Sequence, residues 1–315
     1  MRGVLPAVVT AALGLACAAR ADTPSAAGHL QAQPSPEYDA RVRSIELLAY
    51  SAAMQGRKAD TLAAVQHLAQ VLPADRVAVT QDAGWGLTQQ YAALVRFGLW
   101  DEMIALGAPD PRASGLTAGY LYGRGVALAA RGRIKEADAT LAELHALAVR
   151  AADESAALES LRGVLGVAEP IVAARIAASA GRNDDAVTLL QQAVAAEDSL
   201  PRAQAPAQWF FPARHLLGAQ LLIARRAGEA QRVYRDDLTR NPANGWALYG
   251  LAAALRAQGR AAEAARVMRE FAASWRHADV RLLASAFWFA GADTTSCECQ
   301  RTASDERPRM RAYGL

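Results

Sequence analysis

The chain has 315 residues, about half of them apolar, and a formal net charge of +3. Lysine occurs only at Lys58 and Lys135, so arginine supplies nearly all of the positive charge. This weak charge, without a basic cluster interleaved with aromatic residues, argues against a nucleic-acid partner. Alanine is abundant and is the best helix former, and strand-like alternation bounded by turn residues is nearly absent. We therefore predict an all-α protein.

The N-terminus has the pattern of an export signal. Arg2 precedes an apolar run from Val4 to Cys17, and an A-x-A cleavage motif ends at Ala21. The run is too short to span a bilayer comfortably. We expect cleavage after Ala21 and a periplasmic or extracellular product without a membrane span. The less favoured alternative is a lipoprotein anchored at Cys17, because Gly14 stands where such signals normally have leucine.

The clearest repeats lie between Arg214 and Arg276. Each unit reads as two amphipathic helices joined by a short turn, with small residues such as Gly218 where helices are expected to approach closely. The equivalent alanines Ala230 and Ala264 are 34 residues apart. A 34-residue period with this pattern is typical of tetratricopeptide repeats.

Six hairpins of unequal quality follow from this pattern. Arg225 occupies a slot that is otherwise glycine, which we interpret as a turn geometry that a β-carbon tolerates. Pro170 is interpreted as the residue that either breaks a repeat start or follows an inserted helix beginning near Asp153. A capping helix is predicted from Asp279 to Ala290. The six turns are predicted at Gly56, Gly98, Gly132, Gly181, Arg225 and Gly259.

The chain resembles bacterial tetratricopeptide-repeat proteins and looks like a shortened member, since the leader runs almost directly into Arg43. The resemblance implies a right-handed α-solenoid whose concave groove is lined by the first helix of each pair. The predicted organisation is a signal peptide (1–21), a disordered linker (22–36), a repeat domain (37–290) and a flexible tail (291–315).

The groove implied by the resemblance offers aromatic and arginine side chains, which dominate binding hot spots. The alternative for each aromatic residue is that it packs between neighbouring hairpins. The candidate partner-binding residues are Arg43, Glu46, Tyr50, Tyr122, Arg175, His215, Trp246, Tyr249 and Arg256.

Signs of catalysis are few. The five histidines are scattered, none pairs at metal-ligand spacing, and no P-loop, nucleophile elbow or dinucleotide-binding motif occurs. Asp236 and Asp237 are interpreted as solvated helix residues. We therefore expect a non-enzymatic scaffold that binds a protein or peptide, with no metal and no cofactor. The alternative is a hydrolase or metal-dependent enzyme that uses His215 and Arg214 near the Trp209 loop.

Cys297 and Cys299 form the one compact thiol motif. In an oxidising compartment such a pair forms a strained ring, links two chains or binds a soft metal such as Cu(I). The favoured interpretation is a pair of incidental thiols in the tail.

Overall fold

The computed structural model describes residues 36–72, 84–153, 159–201 and 209–287. These residues contain α-helices and no strand, which confirms the all-α prediction. The predicted signal peptide, residues 22–35 of the linker, and the tail with Cys297 and Cys299 lie outside the described residues. The described helices are α1 (Pro36–Met54), α2 (Lys58–Val71), α3 (Gly84–Arg96), α4 (Trp100–Ala105), α5 (Ser114–Ala130), α6 (Ile134–Asp153), α7 (Glu159–Ser179), α8 (Asn183–Ser199), α9 (Ala213–Ile223), α10 (Ala227–Arg240), α11 (Gly245–Ala257) and α12 (Ala261–Ser274).

These helices pair consecutively into six hairpins, from α1–α2 to α11–α12. Neighbouring hairpins pack in sequence order: α3 packs on α2 and α5, α7 on α5 and α6, α9 on α8, and α11 on α10. Each hairpin leaves one apolar face uncovered, and the next hairpin covers it. No helix among the described residues is both long and apolar enough to cross a membrane.

All six hairpin turns close in the same way. Two residues after the end of the first helix of each pair lies a residue with positive φ, between 59° and 76°. The next residue donates its N–H to the carbonyl five positions earlier at 2.8–2.9 Å, as in Arg133 to Leu128 and Arg260 to Leu255. This is the Schellman motif, which satisfies carbonyls at a helix end. The turns lie at the six positions that the sequence predicted.

The interpretation of Arg225 is wrong, because this residue adopts the same left-handed conformation as the turn glycines. Its φ is 59°, against 76° for Gly259 in the next hairpin. The β-carbon approaches the following carbonyl in this conformation, which costs an L-residue about 1–2 kcal/mol.

Replacing Arg225 by glycine is therefore expected to stabilise the fold. We expect Arg225→Gly to raise the free energy of unfolding by about 0.5–1 kcal/mol, since relief of strain outweighs the greater freedom of glycine in the unfolded chain. Urea unfolding measures the change. The matched control, Gly259→Arg, makes the reverse exchange and should destabilise the protein. A loss of stability in Arg225→Gly would show that the exposed arginine side chain contributes more than its backbone costs.

Pro170 does not interrupt a helix. α7 runs without a break from Glu159 to Ser179 with Pro170 inside it, so the boundary predicted there is wrong. A proline removes one hydrogen bond to the carbonyl four residues earlier. That residue is Gly166, which is exposed, so water can replace the missing partner.

The predicted capping helix is also not formed where the chain is described. Residues 279–286 form neither helix nor strand, and 288–290 lie outside the described residues. The segment instead crosses to the first hairpin, where the Asp279 carboxylate accepts hydrogen bonds from the backbone N–H groups of Lys58 and Ala59 at 2.6 and 2.8 Å. The carboxylate of Asp279 thus finds its partners on another element, at the N-terminus of α2.

Glycines at two helix crossings make room for one aromatic ring. Tyr234 on α10 is fully buried between α9 and α11. A β-carbon at either Gly218 or Gly250 would collide with its ring. Gly218 was predicted to allow close approach, and the ring of Tyr234 is what occupies the space.

Candidate functional site

Side chains from separate hairpins meet in the interior of the array. Tyr50 of α1 stacks on Phe211 at a centroid distance of 6.4 Å. The Trp246 indole of α11 donates its N–H to the carbonyl of Ala53 in α1 at 3.0 Å, across 193 residues. The first and last hairpins are therefore in contact. We call the set formed by Tyr50, Arg96, Phe211, His215 and Trp246 the inner cluster.

Arg96, the last residue of α3, lies at the centre of the inner cluster. Its guanidinium carbon is 3.6 Å from the centroid of Trp246 and 4.6 Å from that of Phe211. These are cation–π distances, and such contacts strengthen when water is excluded. Arg96 is buried, which lowers the pKa of its guanidinium to about 9, so the group stays charged at neutral pH.

The positive charge of Arg96 is compensated by the carboxylate of Asp237, and the ring of His215 lies between the two groups. Nη1 of Arg96 lies 3.1 Å from Nδ1 of His215, and Nε2 of the same ring lies 2.9 Å from Oδ2 of Asp237. Because arginine has only donors to offer, Nδ1 must accept, and the ring proton is therefore on Nε2 and is donated to Asp237. A neutral imidazole thus links a buried cation to a buried anion.

Asp237 is held by two asparagines as well. Asn241 Nδ2 donates to its Oδ1 at 3.0 Å, and Asn244 Nδ2 donates to its Oδ2 at 2.5 Å. Oδ1 of Asn244 accepts from the backbone N–H groups of Trp246 and Ala247, so the same residue caps α11. The start of α11 is fixed to the charged network by this one side chain.

Burial sets the protonation of the network. It lowers the pKa of His215, against the opposing attraction of Asp237, and so keeps the ring neutral. Burial alone would raise the pKa of Asp237, but His215 and the hydrogen bonds from His215 and Asn241 bring it below its usual value. Asp237 is therefore ionised at neutral pH.

Arg214 and His215, the two residues that the enzyme alternative would use, bind different partners. Arg214 is next to His215 on α9, but its guanidinium binds the carboxylates of Asp198 and Asp236 at 2.6 Å each. His215 has no exposed surface, and both of its ring nitrogens are engaged. A His–Asp pair resembles a catalytic dyad, but here Arg96 occupies the nitrogen that a nucleophile would use.

The Trp209 loop closes one side of the interior. Trp209 and Phe210 are buried, and the Trp209 ring meets Tyr122 of α5 edge-on at a centroid distance of 5.1 Å. A small cleft remains next to this contact. It is lined by Arg96, Trp100, Tyr122, Trp209, Phe211 and Phe287, among others. Among the described residues no group of three or more His, Cys, Asp or Glu side chains is placed to hold a metal ion.

Glu197 of α8 borders the network and caps the next helix. Its Oε2 accepts from the N–H of Ala213, the first residue of α9, at 2.8 Å. Burial raises the pKa of Glu197 from 4.5 to about 7. Since the folded value is above the unfolded value, the stabilising contribution is complete below pH 4.5 and is lost as the pH rises through 7.

A neutral side chain at position 197 should remove this pH dependence. We expect Glu197→Gln to raise the free energy of unfolding by about 1–3 kcal/mol at pH 8 and to change it little at pH 4. The glutamine carbonyl keeps the acceptor for the N–H of Ala213. Urea unfolding between pH 4 and 8 measures the difference, with the exposed Glu143→Gln as the control. An equal effect of Glu197→Gln at both pH values would contradict the shifted pKa.

The predicted groove residues fall into two groups. Arg43 and Arg256 are exposed, and Glu46, Tyr50 and Tyr249 are partly exposed. For Tyr122 and Trp246 the structure shows the alternative of packing between elements: Tyr122 meets Trp209, and Trp246 meets Trp275 and Phe287. The buried members are Tyr122, Arg175, His215 and Trp246.

Sequence reasoning missed Arg96 and misread Asp237. Asp237 is fully buried and Asp236 is bound to Arg214, so neither is simply solvated. A signal for Asp237 was present, since Ala230, Tyr234 and Asp237 follow the i, i+4, i+7 spacing of one helical face. Arg96 precedes the turn glycine by two positions, and nothing in the repeat pattern marks it.

A recurrent ion pair was also missed. The residue after the turn is arginine in five of the six hairpins, and it pairs with an acidic residue three positions later, as in Arg57–Asp60 and Arg260–Glu263. The acidic partner also lies in the first turn of the second helix, where negative charge is favoured. The repeated Arg-x-x-Asp/Glu spacing, preceded by glycine in four of the five cases, is visible in the sequence.

Comparison with known proteins gives no relative from which to transfer a function. No family model matches the chain, and no curated protein matches it.

Proposed function

We propose that the chain is a repeat protein of the tetratricopeptide type, built as a right-handed α-solenoid, which holds a segment of another exported protein. The observation that carries the proposal is the sixfold recurrence of one hairpin, with the same Schellman turn each time. Repeated hairpins of this kind create an extended binding surface and enclose little volume for chemistry.

Four of the exposed or partly exposed candidate residues form two pairs, one on α1 and one on α11. Arg43 and Tyr50 are seven residues apart on α1, and Tyr249 and Arg256 are seven apart on α11, so each pair shares a helical face. Tyr50 stacks on Phe211, which places this face of α1 toward the interior. The two arginines are exposed. They are the groups that a partner would meet first.

Reversal of these two charges tests the proposal without disturbing the core. With the full chain as bait in extracts of the native cell envelope, Arg43→Glu combined with Arg256→Glu should reduce capture of the partner at least tenfold. The melting temperature should stay within a few degrees of wild type, because neither side chain is buried. Mass spectrometry identifies the partner.

The matched control changes the same charge on the second helices. Arg232→Glu with Arg269→Glu alters exposed residues of α10 and α12 and should leave capture intact. If both double variants lose capture of the partner equally, the change in net charge alone explains the loss. If wild type enriches no protein over the Arg43→Glu, Arg256→Glu variant, the proposal is overturned.

The second candidate function is hydrolysis, and the observation in its favour is the His215–Asp237 pair at 2.9 Å. A substrate would have to displace Arg96 to reach the ring. His215→Gln tests this candidate: loss of an activity with retention of partner capture would favour the enzyme.

A further inference from the structure

The described C-terminal segment, residues 275–287, lies against the inner side of the first hairpin. The carboxylate of Asp279 bonds to the N-terminus of α2, and the N–H of Asp279 donates to the carbonyl of Gly56 at 3.2 Å. The Trp275 indole covers Gly56 so closely that a β-carbon there would collide with it. The segment thus binds both the turn and the second helix of that hairpin.

Further along, the segment places an apolar side chain in a pocket. Leu282 is buried in one cluster with Ala53 of α1, Phe97 of the turn after α3 and Trp246 of α11. Three hairpins therefore supply the walls of the pocket, and the side chain that fills it comes from the segment.

A hydroxyl then completes a buried hydrogen-bond chain. Oγ of Ser285 donates to the carbonyl of His215 at 2.8 Å, so it must accept from the hydroxyl of Tyr234 at 2.6 Å. Two residues later, Phe287 packs on Trp246 at a centroid distance of 5.8 Å.

The segment is held mainly by side-chain contacts with other elements. Residues 275–286 have no helix or strand of their own, whereas their partners lie on α1, α2, α9, α10, α11 and the turn after α3. The segment thus presents a carboxylate to a helix N-terminus, an apolar anchor three residues later and a hydroxyl three residues after that.

From this arrangement we infer that residues 279–287 are a built-in occupant of the partner site, and that an acidic peptide of the partner replaces them. The partner peptide carries a carboxylate, an apolar residue and a hydroxyl at the spacing of Asp279, Leu282 and Ser285. The inference rests on the proposed binding function and adds its regulation, since the resident segment competes with the partner. Tethering gives the segment an effective concentration on the order of millimolar, so the partner must bind tightly or in several places.

A labelled peptide with the sequence of residues 275–287 tests the inference on the full chain. Fluorescence anisotropy measures its binding to wild type and to Asp279→Asn combined with Leu282→Ala, which weakens the resident segment. We expect binding to the double variant to be at least tenfold tighter than to wild type. A peptide carrying the Asp279→Asn change should bind at least threefold more weakly than the unchanged peptide, and a scrambled peptide should not bind.

If the double variant loses its helical circular dichroism, the single variant Asp279→Asn replaces it in the binding measurement. Asp279 is exposed, so this change leaves the core intact. The single variant should show the same direction of effect. Equal binding by the wild-type and variant chains, or no binding above the scrambled peptide, would overturn the inference. Partner capture from envelope extracts separates the two proposals. If Asp279→Asn captures no more partner than wild type, only the inference is overturned. If neither chain captures a partner, the proposed function is overturned.

Discussion

Trp246→Ala is expected to lower the free energy of unfolding by about 3–5 kcal/mol, as for other fully buried aromatic residues. The side chain has no exposed surface and donates its indole N–H to Ala53. It also supports the guanidinium of Arg96 and meets Trp275 edge-on at a centroid distance of 5.3 Å. Its removal therefore leaves a cavity, the Ala53 carbonyl with one donor fewer, and a buried cation with one aromatic contact fewer. Urea unfolding measures the loss.

Two controls separate these causes. Trp246→Phe keeps an aromatic ring beside Arg96 but cannot donate to Ala53, so it should cost less than Trp246→Ala. Tyr249→Ala changes a partly exposed aromatic residue on the same helix and should also cost less. A Trp246→Ala chain within about 1 kcal/mol of wild type would contradict the burial of this residue, because large buried side chains cost several times more to remove.

Asp237→Ala is the second change with a large expected effect. Breaking a buried ion pair from one side typically costs about 3–5 kcal/mol, because the remaining partners stay buried without compensation. Here the amides of Asn241 and Asn244 and the Nε2 proton of His215 would lose their acceptor. The positive charge of Arg96 would lose its nearest buried anion. Chemical denaturation at pH 7 measures the effect.

The neighbouring carboxylate provides the control. Asp236 is partly exposed and shares Arg214 with Asp198, so Asp236→Ala should cost no more than about 1.5 kcal/mol. If Asp236→Ala and Asp237→Ala cost the same, the buried network does not stabilise the fold as described.

The network also gives wild-type stability a defined pH dependence. The folded pKa of His215 is lowered, so the unfolded chain binds more protons below about pH 6.5 and stability falls as the pH decreases through that region. The folded pKa of Asp237 is lowered too, so its contribution is present above pH 3.8 and is lost as the pH falls through the folded value. In His215→Gln the first of these two losses should disappear.

The local part of the fold could be predicted from the sequence because it depends on short spacings. A residue with positive φ and a hydrogen bond five positions back are local features, and glycine marks five of the six turns. The same holds for helix existence, which follows from alanine content and apolar periodicity. Arg225 was located correctly but given the wrong conformation, since the repeat pattern fixes the position of a turn and does not reveal its strain.

The interior could not be predicted in the same way. The repeat pattern describes contacts between neighbouring hairpins, whereas Arg96 and His215 are 119 residues apart and Trp246 and Ala53 are 193 apart. How far the array curls depends on small rotations that accumulate over six hairpins. For this reason Trp246 was assigned to an open groove, although the array closes over it.

The role of the C-terminal segment was hidden for a related reason. Adjacent leucines at Leu282 and Leu283 fit neither helix nor strand alternation clearly, and only Leu282 is buried. Asp279 caps a helix that begins 221 residues earlier in the chain. A cap supplied from such a distance leaves no trace in local sequence.

The contact between the first hairpin and residues 275–287 is the feature on which the closed interior depends, and amide hydrogen exchange of Lys58 and Ala59 tests it most directly. In wild type both amides bond to Asp279, so they should exchange at least tenfold more slowly than in Asp279→Ala. The equivalent amides of α12, Ala261 and Ala262, should not change between the two chains. Exchange at Lys58 and Ala59 that is equally fast with and without the Asp279 carboxylate would contradict the closure of the array.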